Sequence, residues 1–559
     1  MTPGDEVRVP EAAGLGAKAP EARFAIDVEA STTAASIIAR LDERWRLVGS
    51  IELPSTIAID DVLGALVRRT EAAAPGLLRP RGSDSDTGRP ASIPGWPRLV
   101  SRHEPAPSLA VLAATDRALR PFVQAAALAG WAPVGLSADG ADALAVTRLL
   151  LRRDIRTVLV GAGDPPARDE RRTLNQLLAV VAAAATRRPE LAVVLAGGTT
   201  TAEGAIAAGR AAAEPSAQGP VLLAPAGTGS DPRGGPLRML LARARAGEAD
   251  GPLAVMRSTA SLAAVLGRRI ETVAVGTDSA LRSTAAPGDP VTGDQAGVVL
   301  ADGALVPPDP GDDLVEGVLG WSTVAVDRYR LRDRLREIRI APAGESHGEG
   351  AMLRLAAARA ALARLLTHDP SFGTDPAPDI VIATGSAWTH APGPAVALAL
   401  ADVIRRPGAS QLVLDHARLL GPLGTLPSEE ERRSILADLA DDLLLPLGSV
   451  LMPAGLHAGQ RPGNLVVHAA AGTTELELIP GALELVDLPP GETVIVEVSF
   501  PDPVLLGAAG RRFAVDIAGG LAGLLVDLRD VPLRLPELQE QRRELLAAWQ
   551  RSLWMGMDS

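Results

Sequence analysis

The chain has 559 residues, 67 acidic against 55 basic side chains for a formal net charge of −12, and no cysteine. That balance argues against a nucleic-acid binder, which presents a basic footprint. The missing thiol excludes disulfides, thiolate zinc sites, iron–sulfur clusters and a cysteine nucleophile. Lys18 is the single lysine, so neither a Walker A loop nor the lysine Schiff base of a PLP enzyme is expected.

The length predicts two to four domains. Aromatic residues are only 2% of the chain, so the core must be built of Ala, Val, Leu and Ile, which favours an α/β class. Residues 1–20 read as a disordered leader of Pro, Gly and charge, without the apolar segment of a signal peptide. No run of about 18 apolar residues follows. The expectation is a cytoplasmic protein without a membrane span.

Two strand-like runs, FAIDVEAS and WRLVGSIELP, fall within 24–53 in a hairpin-like order. Residues 60–75 predict an amphipathic helix with Asp60 or Asp61 near its cap. Residues 79–95 read as a flexible insertion. From 108 to about 270, short apolar strands (SLAVLAA, TVLVGAG, LAVVLAGG, GPVLLAPAG, GPLAVM) alternate with helices such as 169–187 and 202–213, the pattern of a parallel sheet. A second set opens at TVAVGTDSALRS, 272–283, with helices near 326–337 and 350–366. The strand DIVIATGSAW and a helix at 394–405 follow. Strands and turns dominate 447–535, and a helix closes the chain at 536–554.

Several turns carry candidate chemistry. Asp27 ends the first strand and is followed by the hydroxyls of Ser31, Thr32 and Thr33. An acidic residue there can hold a metal or water while the next turn holds phosphate. Glu29 opposes this reading, because a carboxylate beside a phosphate repels it. The alternative is a hairpin whose hydroxyls satisfy its own backbone. Gly276, Thr277 and Ser279 form a second turn of this type, with Ala274 at the strand position where a carboxylate is wanted and Asp278 in the turn itself. Thr384, Gly385 and Ser386 form a third small-residue turn, suited to a flat adenine or ribose; a plain βα connection fits it equally well. The Gly-rich turns at 194–204 and 224–231 lack GxGxxG, since Pro232 stands where the third glycine belongs. The seven histidines form neither HxxxH nor HExxH, and each reads as structural or surface. No GxSxG elbow is present.

The order IDVEASTT, VAVGTDSALRS, DIVIATGSAW resembles the phosphate-1, phosphate-2 and adenosine turns of the actin-like ATPase superfamily, which includes sugar kinases and actin. Within it the chain is most similar to the MutL family associated with glutamate mutase, which is distinct from the mismatch-repair protein of that name. The likeness runs over most of 24–425. GASQLVLDHARLLGPLGTL is its most specific stretch, and GLLVDLRDVPLRLPE near the C-terminus continues it. The resemblance implies an α/β, two-lobed actin-like (duplicated RNase H-like) fold with a β-rich C-terminal domain. The domains would be a first lobe at 21–270 with an inserted α/β subdomain, a second lobe at 271–440, and a β-rich unit at 441–559 ending in a helix.

The resemblance also implies ATP with Mg²⁺. Asp27 would serve as metal ligand and catalytic residue, and Ser31, Thr32, Thr33, Gly276, Thr277, Thr384 and Gly385 would bind nucleotide. The departures are Glu29 for a glycine, Ala274 for an aspartate, Thr277 for a second glycine, and Ser386 with Ala387 in the adenosine turn. They point to a retained fold with weakened or lost ATP turnover. The expected function is a degenerate actin-like ATPase acting as a chaperone-like partner of a cobalamin-dependent mutase or another protein client. The alternatives are an interaction scaffold that binds no nucleotide, and a small-molecule kinase of the same superfamily.

Overall fold

In a computed structural model of the protein, the described residues are 21–554 apart from 78–92, 105, 140–141, 169, 212–214, 232–234, 246–249, 290–296, 301–304, 308, 342–347, 370–371, 374, 458 and 470–471. The expected leader at 1–20 and most of the expected insertion at 79–95 lie outside them.

The chain opens with β1 (Ala22–Val28), β2 (Thr32–Leu41), β3 (Arg44–Pro54), α1 (Ile59–Ala73) and β4 (Arg98–Arg102). The sheet order is β3-β2-β1-β4, a three-strand antiparallel meander with β4 laid parallel beside β1. The chain then builds a separate doubly wound unit: β5 (Ser108–Ala113), α2 (Asp116–Leu128), β6 (Ala132–Ser137), α3 (Ala143–Leu150), β7 (Thr157–Gly161), α4 (Glu170–Arg187), β8 (Ala192–Ala196), α5 (Glu203–Arg210), β9 (Val221–Leu223) and α6 (Gly235–Arg245). Its five strands are all parallel, in the order β6-β5-β7-β8-β9.

After α7 (Gly251–Leu266) the first pattern returns with β10 (Ile270–Val275), β11 (Ala280–Ala285), β12 (Gly297–Leu300), α8 (Asp312–Trp321), α9 (Arg328–Ile340), α10 (Gly348–His368) and β13 (Ile380–Thr384). Next come α11 (Ser386–Thr389), α12 (Gly393–Val403), β14 (Gly408–Asp415), α13 (Leu420–Gly424), α14 (Glu429–Leu443) and β15 (Leu444–Met452). The last elements are β16 (Gly463–Ala469), β17 (Gly472–Leu478), β18 (Leu483–Val486), β19 (Thr493–Leu506), β20 (Ala508–Ala518), β21 (Leu524–Asp527) and α15 (Gln539–Trp554). The second large sheet runs β12-β11-β10-β13-β14-β15-β21-β18. Its first four strands repeat the first lobe, an antiparallel meander followed by a parallel strand beside the first. The class is α/β with a duplicated sheet plan, and this repeated order is the one the two-lobed expectation required. A four-stranded antiparallel sheet, β17-β16-β19-β20, adds the β-rich region.

Two local expectations differ from the structure. GPLAVM, read as a strand, is the first part of α7. Asp250 caps this helix by accepting from the Leu253 amide, Pro252 sits in the first turn, and Gly267 closes it in the left-handed conformation. The helix is buried nearly all round, so it shows no amphipathic period to separate it from a buried strand. The hydroxyl run after Asp27 is not a loop. Thr32 and Thr33 begin a third strand, β2, between β1 and β3.

The two lobes share apolar contacts as well as a plan. One buried cluster joins Ala25, Ile38 and Trp45 of the first sheet to Ile270, Ala274 and Leu281 of the second, through Leu262 of α7 and Leu436 of α14. At Gly424 an added Cβ would lie 1.8 Å from the Ala254 carbonyl, so glycine permits the close approach of α13 to α7. The interlobe seam is thus packed right up to the turns that carry the candidate site.

Candidate functional site

The three turns meet at the seam. Val28 ends β1, and the Glu29 amide closes a tight turn onto the Thr32 carbonyl. The second turn follows β10, closed by the Gly276 amide on the Ser279 carbonyl. The third is Gly385, at φ +98°, where an added Cβ would meet the Val275 carbonyl at 2.5 Å. Glycine is therefore required at 385 both by conformation and by space.

Glu29 is only 3% exposed, and its carboxylate points across the seam. Oε2 accepts from the Thr277 amide at 3.3 Å and from the Ser386 hydroxyl at 2.5 Å, and Oε1 accepts from the Ser386 amide at 3.0 Å. These donors belong to the second and third turns, which the resemblance assigned to phosphate and adenosine. An added Cβ at Gly276 would sit 3.0 Å from the same carboxylate. The Ser31 and Thr277 hydroxyls meet at 2.5 Å, a second direct bond between the lobes.

Arg418 completes the cluster. It lies three residues beyond β14, is 1% exposed, and takes a left-handed backbone conformation at φ 54°. Such a conformation costs a non-glycine residue about 1–3 kcal/mol. Asp415 holds the bend, accepting from the amides of Leu419 and Leu420 and from the Thr384 hydroxyl. The bend delivers the guanidinium to three first-lobe carboxylates: Asp27 at 2.6 Å, Glu29 at 2.9 Å and Glu52 at 3.3 Å. The Thr32 hydroxyl accepts from it at 2.8 Å. Asp27 also accepts from the Ser101 hydroxyl at 2.5 Å and contacts His103 Nε2 at 3.0 Å.

The electrostatics follow from this crowding. Burial raises the Asp27 carboxyl, but Arg418, His103 and Ser101 outweigh it and hold the group well below the usual carboxylate range. At Glu52 burial is likewise overcome by His390, Arg418 and Thr32, leaving it at about 2. Burial disfavours the His103 cation, yet Asp27 and Glu29 raise the imidazole above its ordinary value. Burial disfavours the Arg418 charge too, but Glu29, Asp27 and Glu52 together push its titration further up, so it stays charged.

The structure gathers Asp27, Ser31, Thr32, Gly276, Thr277, Thr384 and Gly385 around one point. Thr33 is buried within β2, paired with Val28 and Leu53. The cavity left among Asp27, Glu29, His103, Gly276, Thr384 and Arg418 is about 10 Å³, room for about one water molecule. A magnesium nucleotide does not fit the residues present. The Glu29 carboxylate covers the amides a phosphate would take, while Arg418 covers Oδ2 of Asp27 and Ser101 with His103 covers its Oδ1, the oxygens a metal would take. Among the described residues no group of three His, Asp or Glu side chains could hold a metal ion. Asp278, the candidate base of the kinase alternative, is ion-paired to Arg339 at 2.6 Å.

Sequence reasoning missed Arg418, Ser101 and Glu52, and left His103 among the scattered histidines. One signal was legible: Arg418 is the single arginine of LDHARLLGPLG and is followed by six residues without charge, so burial would force a carboxylate partner on it.

No family model matches the chain, and no curated protein matches it. Solved structures similar to it share its broad layout at low identity. Nucleotide-free acetone carboxylase has 11% identity and a TM-score of 0.29, covering 83% of this chain and 81% of its own. Component A of (R)-2-hydroxyglutaryl-CoA dehydratase from Acidaminococcus fermentans has 6% identity and a TM-score of 0.25, covering 74% and 98%. Gluconate kinase from Lactobacillus acidophilus has 12% identity and a TM-score of 0.25, covering 74% and 92%. At these TM-scores the likenesses say nothing about chemistry, and the duplicated plan rests on the strand order alone. No helix among the described residues is long and apolar enough to cross a membrane.

Proposed function

We propose that this protein is an actin-like interaction scaffold held closed by its own side chains and working without nucleotide. The observation that carries the reading is the Glu29 carboxylate, which accepts from Thr277 and Ser386 of the opposite lobe while Arg418, Ser101 and His103 together occupy both Asp27 oxygens. A carboxylate thus stands in for a phosphate and a guanidinium for a divalent cation, so the closed arrangement has a permanent internal ligand. In the related plan that the sequence resembles, closure is conditional on ATP. Here it is built in, and what the molecule offers a partner is one fixed surface. The resemblance to the glutamate-mutase-associated MutL family makes a cobalamin-dependent mutase the client to try first.

Titration calorimetry with ATP–Mg²⁺ tests the nucleotide half of this reading. The expected result is no heat at high micromolar ATP, and no change in melting temperature at concentrations that would saturate a true ATPase. A ligand at a hundred times its Kd would stabilise by about 2.7 kcal/mol, so a melting shift of several degrees with ATP–Mg²⁺ would overturn it. The kinase alternative predicts ADP release with some sugar or short acid. The pairing of Asp278 with Arg339 engages the base that the sequence offers for that reaction.

A further inference from the structure

Lined by none of the residues of the interlobe cluster, a cavity of about 560 Å³ opens beside α6, between the inserted sheet and the second lobe. This lies within the range of small-molecule sites, roughly 300–1,000 Å³. Leu223 at the end of β9, Pro225 just after it, Met239 and Leu240 of α6, and Gly297 at the start of β12 give it apolar walls. Its charged residues, among those described, are Arg238 and Arg243. No carboxylate is among the described lining residues.

The helix explains how an arginine reaches this place. Leu237 and Leu241, one turn apart, are fully buried in the core of the inserted unit, and the Leu241 carbonyl accepts from the Trp131 indole. Arg238 follows Leu237 by one residue, so its side chain is turned by about 100° toward the seam. There it is only 8% exposed, and its Nε and Nη1 meet no hydrogen-bond partner among the described residues. Burial lowers its titration, with Asp369 and Asp231 opposing through their charge. The Asp369 carboxylate is already bonded to Arg282 at 2.7 Å. A buried guanidinium with two of its nitrogens unpartnered is costly. An anion in the adjoining cavity would relieve that cost.

We propose that this cavity binds a small amphipathic carboxylate, with the acid group on Arg238 and the apolar body along Leu223, Met239 and Leu240. Arg243 is already engaged elsewhere, so one unsatisfied guanidinium among apolar walls matches one negative charge on an apolar tail. A dianion would leave net charge facing the apolar walls. The site is independent of the closed-lobe reading and stands or falls on its own.

The test is calorimetric titration of the full-length protein with sodium decanoate, decylamine and decyl phosphate, three probes of equal chain length. Decanoate binds and decylamine does not. Arg238→Met weakens decanoate about 10- to 100-fold, as loss of a charged hydrogen bond requires. The same substitution raises the melting temperature of the ligand-free protein, because it removes an unpaired buried charge. Met239→Trp, which narrows the cavity and leaves Arg238 in place, weakens decanoate binding. The proposal is overturned by any of four results: no heat with decanoate, equal affinity for decylamine, tighter binding of decyl phosphate, or an Arg238→Met protein of unchanged affinity.

Discussion

Replacing Glu29 with alanine removes one carboxylate and strands its partners on both sides of the seam. Two backbone amides, Thr277 and Ser386, lose their acceptor, as does the Ser386 hydroxyl. Arg418 keeps Asp27 and Glu52 but loses its third counter-charge. Each stranded buried donor costs about 1–3 kcal/mol, although water entering the vacated space satisfies part of that demand. Breaking one arm of a buried ion network costs about 3–5 kcal/mol, and the two carboxylates left to Arg418 put this case at the lower end. We expect a net loss of about 3–4 kcal/mol. At about 2–4 °C per kcal/mol for a domain of 150–250 residues, the melting temperature falls by roughly 6–16 °C. A chain of this size need not unfold in two states, so parent and variant are compared by scanning calorimetry at one scan rate. Inorganic phosphate should recover part of the loss in Glu29→Ala and do nothing to the parent, because only the variant exposes the vacated donors. A variant that melts within a degree of the parent would refute the reasoning.

Arg418→Met leaves Asp27, Glu29 and Glu52 facing one another without a cation, and a loss larger than that of Glu29→Ala follows, read as poor soluble yield and early melting; Arg418→Lys keeps the charge without the fork and falls between them. Stability should also fall in acid, because Asp27 and Glu52 sit below their ordinary values in the folded protein. Their contribution is present above about pH 4.5 and drains away as the pH drops toward 2. The raised His103 works in the opposite sense, contributing fully below about pH 6.5 and less as the pH rises through its folded value. His103→Gln should therefore flatten only the alkaline limb of a melting-versus-pH curve. In the C-terminal part of the chain, Trp549 covers the Arg529 guanidinium at 4.4 Å, and Arg529 is bonded to Asp402 and Asp527. Trp549→Ala should destabilise by about 2 kcal/mol, measured by thermal melting, and an unchanged melt would show that α15 is not held there.

The class of fold was legible in short apolar strands alternating with helices, and the duplication in turns of similar composition at Asp27 and Gly276. What failed locally failed for physical reasons. α7 is buried on nearly every face, so its residues lack the polar stripe by which a helix is recognised. β2 begins on Thr32 and Thr33, whose hydroxyls read as a turn until the strands on either side are in place. The electrostatic conflict between Glu29 and a phosphate could be read from residue types alone. Its resolution could not, because Arg418 lies 391 residues from Asp27 along the chain. No local pattern reports a contact at that separation.

Being covalently tethered, the Glu29 carboxylate never dissociates into solution. A nucleotide leaves when it is hydrolysed or diluted, and that departure gives an ATPase its clock. A side chain has no such exit, so the seam it spans carries no timer. If this molecule changes state while serving a partner, the trigger must enter elsewhere, through the partner itself or through an occupant of the α6 cavity.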